Sequence, residues 1–217
     1  MRIQKNQLKS LDVFKVYMRI FLSVLILVLS LQSWTKAKDI SDFEIGGFTL
    51  NQSLLDNYKK DYLISNWESQ KHTYDFYSQK YYKIAFFGET YDPYDSIVLY
   101  TLKTDNLFKI KSITGFRENM DIKNCYREQE SIAVEIFNLF PNTTKKTYGP
   151  AAKQVDPTGN STEKGIYFVF QDGSAAGTAC IDYGKEFLKK YPHTDDHMQV
   201  YLDTKEYSEW LRNEAWK

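Results

Sequence analysis

Two cysteines constrain this 217-residue chain most, because one lies in a helix pattern and the other in a strand pattern. Residues 121–140 read DIKNCYREQESIAVEIFNLF. Ile122, Cys125, Gln129, Ile132, Ile136 and Leu139 recur at spacings of three and four, and Ala133, Phe137 and Phe140 widen that stripe. Lys123, Arg127, Glu128, Glu130 and Glu135 fall mostly on the other side. This is an amphipathic helix lying on a sheet, and its apolar stripe reads as core rather than ligand surface. Asp121 can accept from the free first-turn amides, and Pro141 disfavours helical geometry at the residue before it. Cys180 falls in AAGTACID, a strand pattern with small residues on both faces that would let a helix approach closely. A Cys125–Cys180 disulfide would fasten that helix to the sheet.

The redox compartment bears on the pairing. Residues 1–19 are basic, residues 20–31 (IFLSVLILVLSL) are apolar except for two serines, and Thr35 and Ala37 occupy the −3 and −1 places of a small-residue cleavage site. This is the three-part pattern of a secretory signal. Residues 1–37 are expected to be a signal peptide and residues 38–217 a single exported domain, periplasmic or secreted. The alternative is an uncleaved segment anchored in the inner membrane, although the apolar run falls short of the ~20 residues a spanning helix needs. Met18 opens a more compact version of the same signal. No cysteine follows the apolar run to take a lipid anchor. In an oxidising compartment two thiols point to a disulfide. The alternatives are two free buried thiols, or a reactive Cys125 activated near a helix N-terminus.

Formal charge balances at 28 basic and 28 acidic residues, but residues 1–37 hold six bases and one acid, which leaves the rest with 22 and 27. An acidic body argues against nucleic acid, which requires a basic face. Seventeen tyrosines and fourteen phenylalanines favour strands over disorder.

In order, residues 42–50 read as a strand broken by Gly46–Gly47, and Ser53 opens a capped helix presenting Leu54, Leu55, Tyr58 and Tyr62. Residues 66–79 read as loop with a possible short helix. Strands are expected at 82–86, 96–103 and 107–116, joined by short turns as an antiparallel meander. The third slips phase before Ile113, which implies a bulge or a bend. Residues 142–164 read as a surface loop. Residues 166–170 and 175–182 form a hairpin around Asp172–Gly173. Met198, Val200 and Leu202 alternate in a last strand, and Asp203 with Glu206 suggests a capping box for a final helix with Tyr207, Trp210 and Leu211 inward. Strands grouped in runs predict an α+β fold, a largely antiparallel sheet with helices packed against it.

Chemistry is sparse. There are three histidines, His72, His193 and His197, and the last two flank Asp195 and Asp196. On a helix His193 and His197 would share a face and, with Asp195, could ligate a metal. Pro192 before them and a strand after them favour a turn. Asp92, Asp95 and Asp105 lack a calcium-loop spacing and read as turn formers. Ser161 in GNSTEKG resembles a nucleophile elbow only superficially, with no strand before it and the second glycine displaced. Asn51, Asn142 and Asn160 each sit in N-x-[ST], glycosylation acceptors only in a eukaryotic secretory path. There is no P-loop, dinucleotide fingerprint, HExxH or CxxC, and no cofactor is expected.

The runs DISDFEIGGFTLNQSLLDNY, DIKNCYREQESI and YLDTKEYSEWL resemble a family of small exported proteins of marine bacteria that brings no assigned activity. The opening unit is also loosely similar to modules of the outer-membrane-assembly lipoprotein and β-lactamase-inhibitor-protein kind. These resemblances imply export and an α+β fold. The expected function is therefore a non-catalytic exported envelope or periplasmic protein, binding an envelope or extracellular partner through a surface lined by tyrosines. It would touch membrane only through an uncleaved N-terminus. The alternative is a small metal-dependent hydrolase using the His193–His197 loop.

Overall fold

In a computed structural model the chain is described at residues 39–70, 80–88, 91–153 and 155–215. The expected signal segment 1–37 and His72 lie outside the described residues. The fold is α+β. A two-stranded hairpin, β1 (Glu44–Ile45) and β2 (Phe48–Thr49), precedes a seven-stranded sheet. The sheet comprises β3 (Tyr81–Phe87), β4 (Ser96–Leu102), β5 (Ile110–Arg117), β6 (Thr144–Ala152), β7 (Thr162–Val169), β8 (Ala175–Asp182) and β9 (His197–Asp203). Its spatial order is β3-β4-β5-β9-β8-β7-β6, and every neighbouring pair is antiparallel. Four helices accompany it among the described residues: α1 (Lys60–Gln70), α2 (Ile122–Leu139), α3 (Lys185–Lys190) and α4 (Lys205–Asn213). Two meanders, β3–β5 and β6–β9, thus meet where β9 returns to pair with β5. Helix α2 carries the chain from the middle of the sheet to its far edge.

Helix α2 starts where Asp121 accepts from the amides of Lys123 and Asn124, and it turns Cys125, Gln129, Ala133 and Ile136 inward. It lies across β7, β8 and β9. Cys125 and Cys180 are joined by a disulfide with Cα atoms 6.0 Å apart, and both are buried. Gln129 is buried beside them and donates from Nε2 to the carbonyls of Lys164 and Thr178. The β1–β2 hairpin and α1 extend this core over β3–β5, through Ile45, Phe48, Leu54 and Leu63 against Ile84, Phe86, Ile97 and Leu99. A second, smaller core lies on the opposite sheet face. There Tyr207 and Trp210 of α4 pack on Tyr81, Ala85, Val98 and Tyr100. Strand β4 is buried on both faces because a separate core covers each side.

Three local readings are corrected by the structure, and a fourth is borne out. Residues 142–164 are not a loop. They hold strand β6, a turn, and the start of β7. All nine residues of β6 are exposed, so neither face shows the alternation that marks a half-buried strand. Ser53 caps only a short 3-10 turn, Leu54–Asp56, and the helix α1 starts four residues later and runs through part of the expected loop at 66–79. The irregularity expected before Ile113 is present as a bulge: Thr101 pairs with Ile110 and Tyr100 with Ser112, which leaves Lys111 unpaired. The cap of α4 is Thr204, which accepts from the Tyr207 amide, while Asp203 is a buried strand residue.

The two sheet edges differ. At β3, the side chain of Asn66 accepts from the Ala85 amide and donates to the Ala85 carbonyl, so α1 closes that edge at its midpoint. At β6 the outer edge carries Lys145 and Lys146, and the register breaks between Tyr148 and Ala151. Charged residues and an irregularity are the usual guards of an unpaired edge.

Candidate functional site

Strand register places side chains on faces, because opposed residues in an antiparallel pair point the same way and alternate residues point oppositely. On the face opposite α2, four rows cross β6 to β9; the outermost is Thr144, Val169, Ala175, Asp203, and the other three form the candidate site. The first is Ala151, Glu163, Ile181, His197; the second Tyr148, Gly165, Ala179, Gln199; the third Lys146, Tyr167, Gly177, Tyr201. The floor is small: Gly165, Ala179 and Gly177 are buried beneath three tyrosines. A Cβ placed on Gly165 would lie 2.0 Å from Cε1 and 2.3 Å from Cζ of Tyr148. The Tyr148 ring therefore lies flat on the strand, which only glycine permits. A Cβ on Gly177 would come within 2.7 Å of the Tyr201 hydroxyl. Tyr167 stands edgewise to Tyr148, with centroids 6.2 Å apart.

Polar groups hold the rings. The Tyr148 hydroxyl donates to one Glu163 carboxylate oxygen, and Lys153 Nζ pairs with the other. Burial raises the Tyr148 hydroxyl well above the usual phenol range, and the Glu163 charge adds to it. Burial also raises Tyr201, with the charges of Asp203 and Glu163 contributing. Both phenols are neutral at physiological pH. The loop after β6 is tied by Asp156, which accepts from the amides and hydroxyls of Thr158 and Ser161. Those hydrogen bonds, Ser161 first, hold its carboxyl down to about 2. The Ser161 hydroxyl also accepts from the Gly184 amide, so this serine is a buried structural link rather than a nucleophile.

The His193–His197 segment is a turn leading into β9. His193 is exposed. The ring of His197 is partly buried against Phe116 and Tyr183, with its Nδ1 2.8 Å from the Asp195 carbonyl and its Nε2 2.9 Å from Nε2 of Gln199. The carbonyl requires the proton on Nδ1, which leaves Nε2 to accept from the Gln199 amide. Burial lowers the pKa of His197, so the ring is neutral. Both nitrogens are thus used within the chain, and the structure does not bring His193, Asp195 and His197 together as ligands. Among the described residues no group of three or more His, Cys, Asp or Glu side chains is placed to hold a metal ion. Asp105 acts as a turn former, accepting from the amides of Leu107 and Lys109.

The sequence leads one to expect a surface lined by tyrosines without saying which ones. Lys146, Tyr148, Lys153 and Glu163 fall in the stretch read as loop. The usable signal was Gly165, a glycine just before an apolar strand run, which marks close approach by another group. Compared with known proteins, the chain matches no family model, no curated protein and no solved structure. Among the described residues no helix is long and apolar enough to cross a membrane.

Proposed function

We propose that this is a non-catalytic exported binding module of the cell envelope or extracellular space, whose ligand meets the tyrosine face of β6–β9. The observation that carries the reading is Tyr148, an aromatic ring fixed by a glycine beneath and a carboxylate at its hydroxyl, with Tyr167 and Tyr201 beside it. Rigid aromatic side chains give large contact area with little ordering cost, which is why recognition surfaces use them. The disulfide supports export, since such bonds persist in oxidising compartments. The resemblance to small exported bacterial proteins belongs to the same reading.

Two measurements test it. N-terminal sequencing of the protein recovered from cell fractions should give a mature chain starting at Lys38 outside the cytoplasm. A start at Met1 or Met18 in the cytosol defeats the export half. Protein labelled with 3-fluorotyrosine, screened against saccharides, peptides and lipids, should show fluorine shifts at Tyr148, Tyr167 and Tyr201. Shifts confined to Tyr58, Tyr62 or Tyr191 would place the binding surface elsewhere.

A further inference from the structure

We propose that this face takes an acidic polysaccharide, with a pyranose ring lying on Tyr148 and a uronate carboxylate or sulfate against Lys146. The inference rests on the binding face described above and names its ligand class. The Tyr148 ring presses one side onto Gly165, and the residue as a whole stays 37% exposed. A flat ring open on one side fits the C–H face of a sugar, and stacking on such rings tolerates varied partners because it needs only a planar apolar surface. Since Glu163 already pins the hydroxyl, no rotamer freedom is lost when a ligand arrives.

Charge selects among sugars. Lys153 is committed to Glu163. Lys146 lies opposite Tyr167 and two residues from Tyr148 on the same face, and among the described residues it has no carboxylate within ion-pair distance. The phenols and His197 are uncharged at physiological pH. Around Tyr148 the charges on this face are Lys146 and the Lys153–Glu163 pair, with Asp203 buried at the far row, so the end next to Tyr148 is locally positive on a body carrying an excess of acid. That pattern attracts a sparsely charged anion and repels a dense one such as a nucleic acid, which needs many phosphate contacts. An acidic peptide would instead add to the β6 edge and use Lys145, on the opposite face, as much as Lys146.

Calorimetry of the purified protein with polygalacturonate, uncharged galactan and polyglutamate decides the matter. Polygalacturonate should bind, more weakly as salt rises. Tyr148→Ala should weaken it about tenfold or more, Lys146→Ala about threefold, and Lys145→Ala not at all. Both Tyr148 and Lys146 are exposed, so circular dichroism should show these variants folded. Polyglutamate binding as tightly, or equal losses from Lys145→Ala and Lys146→Ala, would overturn the proposal in favour of peptide addition to the edge. Galactan binding as tightly as polygalacturonate, with the same Tyr148 dependence, would overturn the charge selection and leave the binding face standing. Binding of none of the three would overturn the ligand class, and the fluorotyrosine screen would then judge the face by itself.

Discussion

Replacing Asp203 with asparagine should change how this fold responds to pH. Asp203 ends β9, opposite Ser112 on one side and Ala175 on the other, and its carboxylate accepts from the Ser112 hydroxyl at 2.6 Å. Tyr81 lies close enough for its own pKa to feel the Asp203 charge, and Glu206 and Lys111 form an ion pair at the start of α4. Burial raises the Asp203 pKa to about 7 from an ordinary 3.8, with the Ser112 hydrogen bond opposing the rise. As pH climbs above about 4 the unfolded chain gives up this proton before the folded one does. The Asp203 contribution to stability is therefore complete below about pH 4, declines as pH rises through about 7, and is level above that. At 1.36 kcal/mol per unit the whole window amounts to roughly 4 kcal/mol, of which about 3 kcal/mol falls between pH 5 and pH 8. Asparagine keeps an acceptor for Ser112 and never ionises. Asp203→Asn should thus gain about 3 kcal/mol on the parent between pH 5 and pH 8, or roughly 6–12 °C in Tm for a domain of this size. His197 acts in the opposite sense: its lowered pKa means that falling pH, from about 6.5 downward, favours the unfolded chain. That contribution is common to both proteins and cancels in the difference. Urea unfolding of both, disulfide intact, at pH 5, 6, 7 and 8 measures it. Curves that run parallel within about 0.5 kcal/mol would refute the claim that this carboxyl is held protonated.

Other substitutions probe the remaining supports. Cys125→Ala with Cys180→Ala opens a loop with a sequence separation of 55 and should cost about 4 kcal/mol in urea unfolding on the chain-entropy argument. Gly177→Ala sets a methyl 2.7 Å from the Ile166 carbonyl, the Tyr167 Cβ and the Tyr201 hydroxyl, so backbone must shift and about 1–3 kcal/mol should be lost. Gly165→Ala meets the movable Tyr148 ring first, and should alter that ring's fluorine resonance with a smaller loss of stability. Thr204→Ala removes the cap of α4 and should lower stability by about 1 kcal/mol, with no effect on the disulfide.

The sequence was most informative where burial is one-sided. In α2 and β9 the apolar period is dictated by a single core, and Cys125 and Val200 fall where that period puts them; in β5 the bulge at Lys111 resets the phase so that Ile110 and Ile113 both reach that core. It was least informative at β6, whose partner is found only after the chain has crossed the sheet. Thr144 to Ala152 has no buried position, so the pairing with β7 is held by main-chain bonds that leave no trace in hydropathy. The candidate site was hidden for the same reason, since Lys146 and Tyr148 belong to that strand. Asp203 was misread because an acid next to a helix start usually caps it. Here the strand runs one residue further, and Thr204 takes the cap while Asp203 turns inward. The disulfide was legible because helix and strand patterns fixed the setting of each cysteine separately.

The clasp that Asn66 places on Ala85 has a consequence for crowded surroundings. Strand-wise association needs a free border on each participant, and in this protein the β3 border is occupied at its centre. Two copies joined through β6 would each carry outward a β3 border already engaged at its midpoint, which disfavours strand-wise addition of a third copy at that border. One amide side chain thereby guards the centre of a border that would otherwise be open to a neighbour.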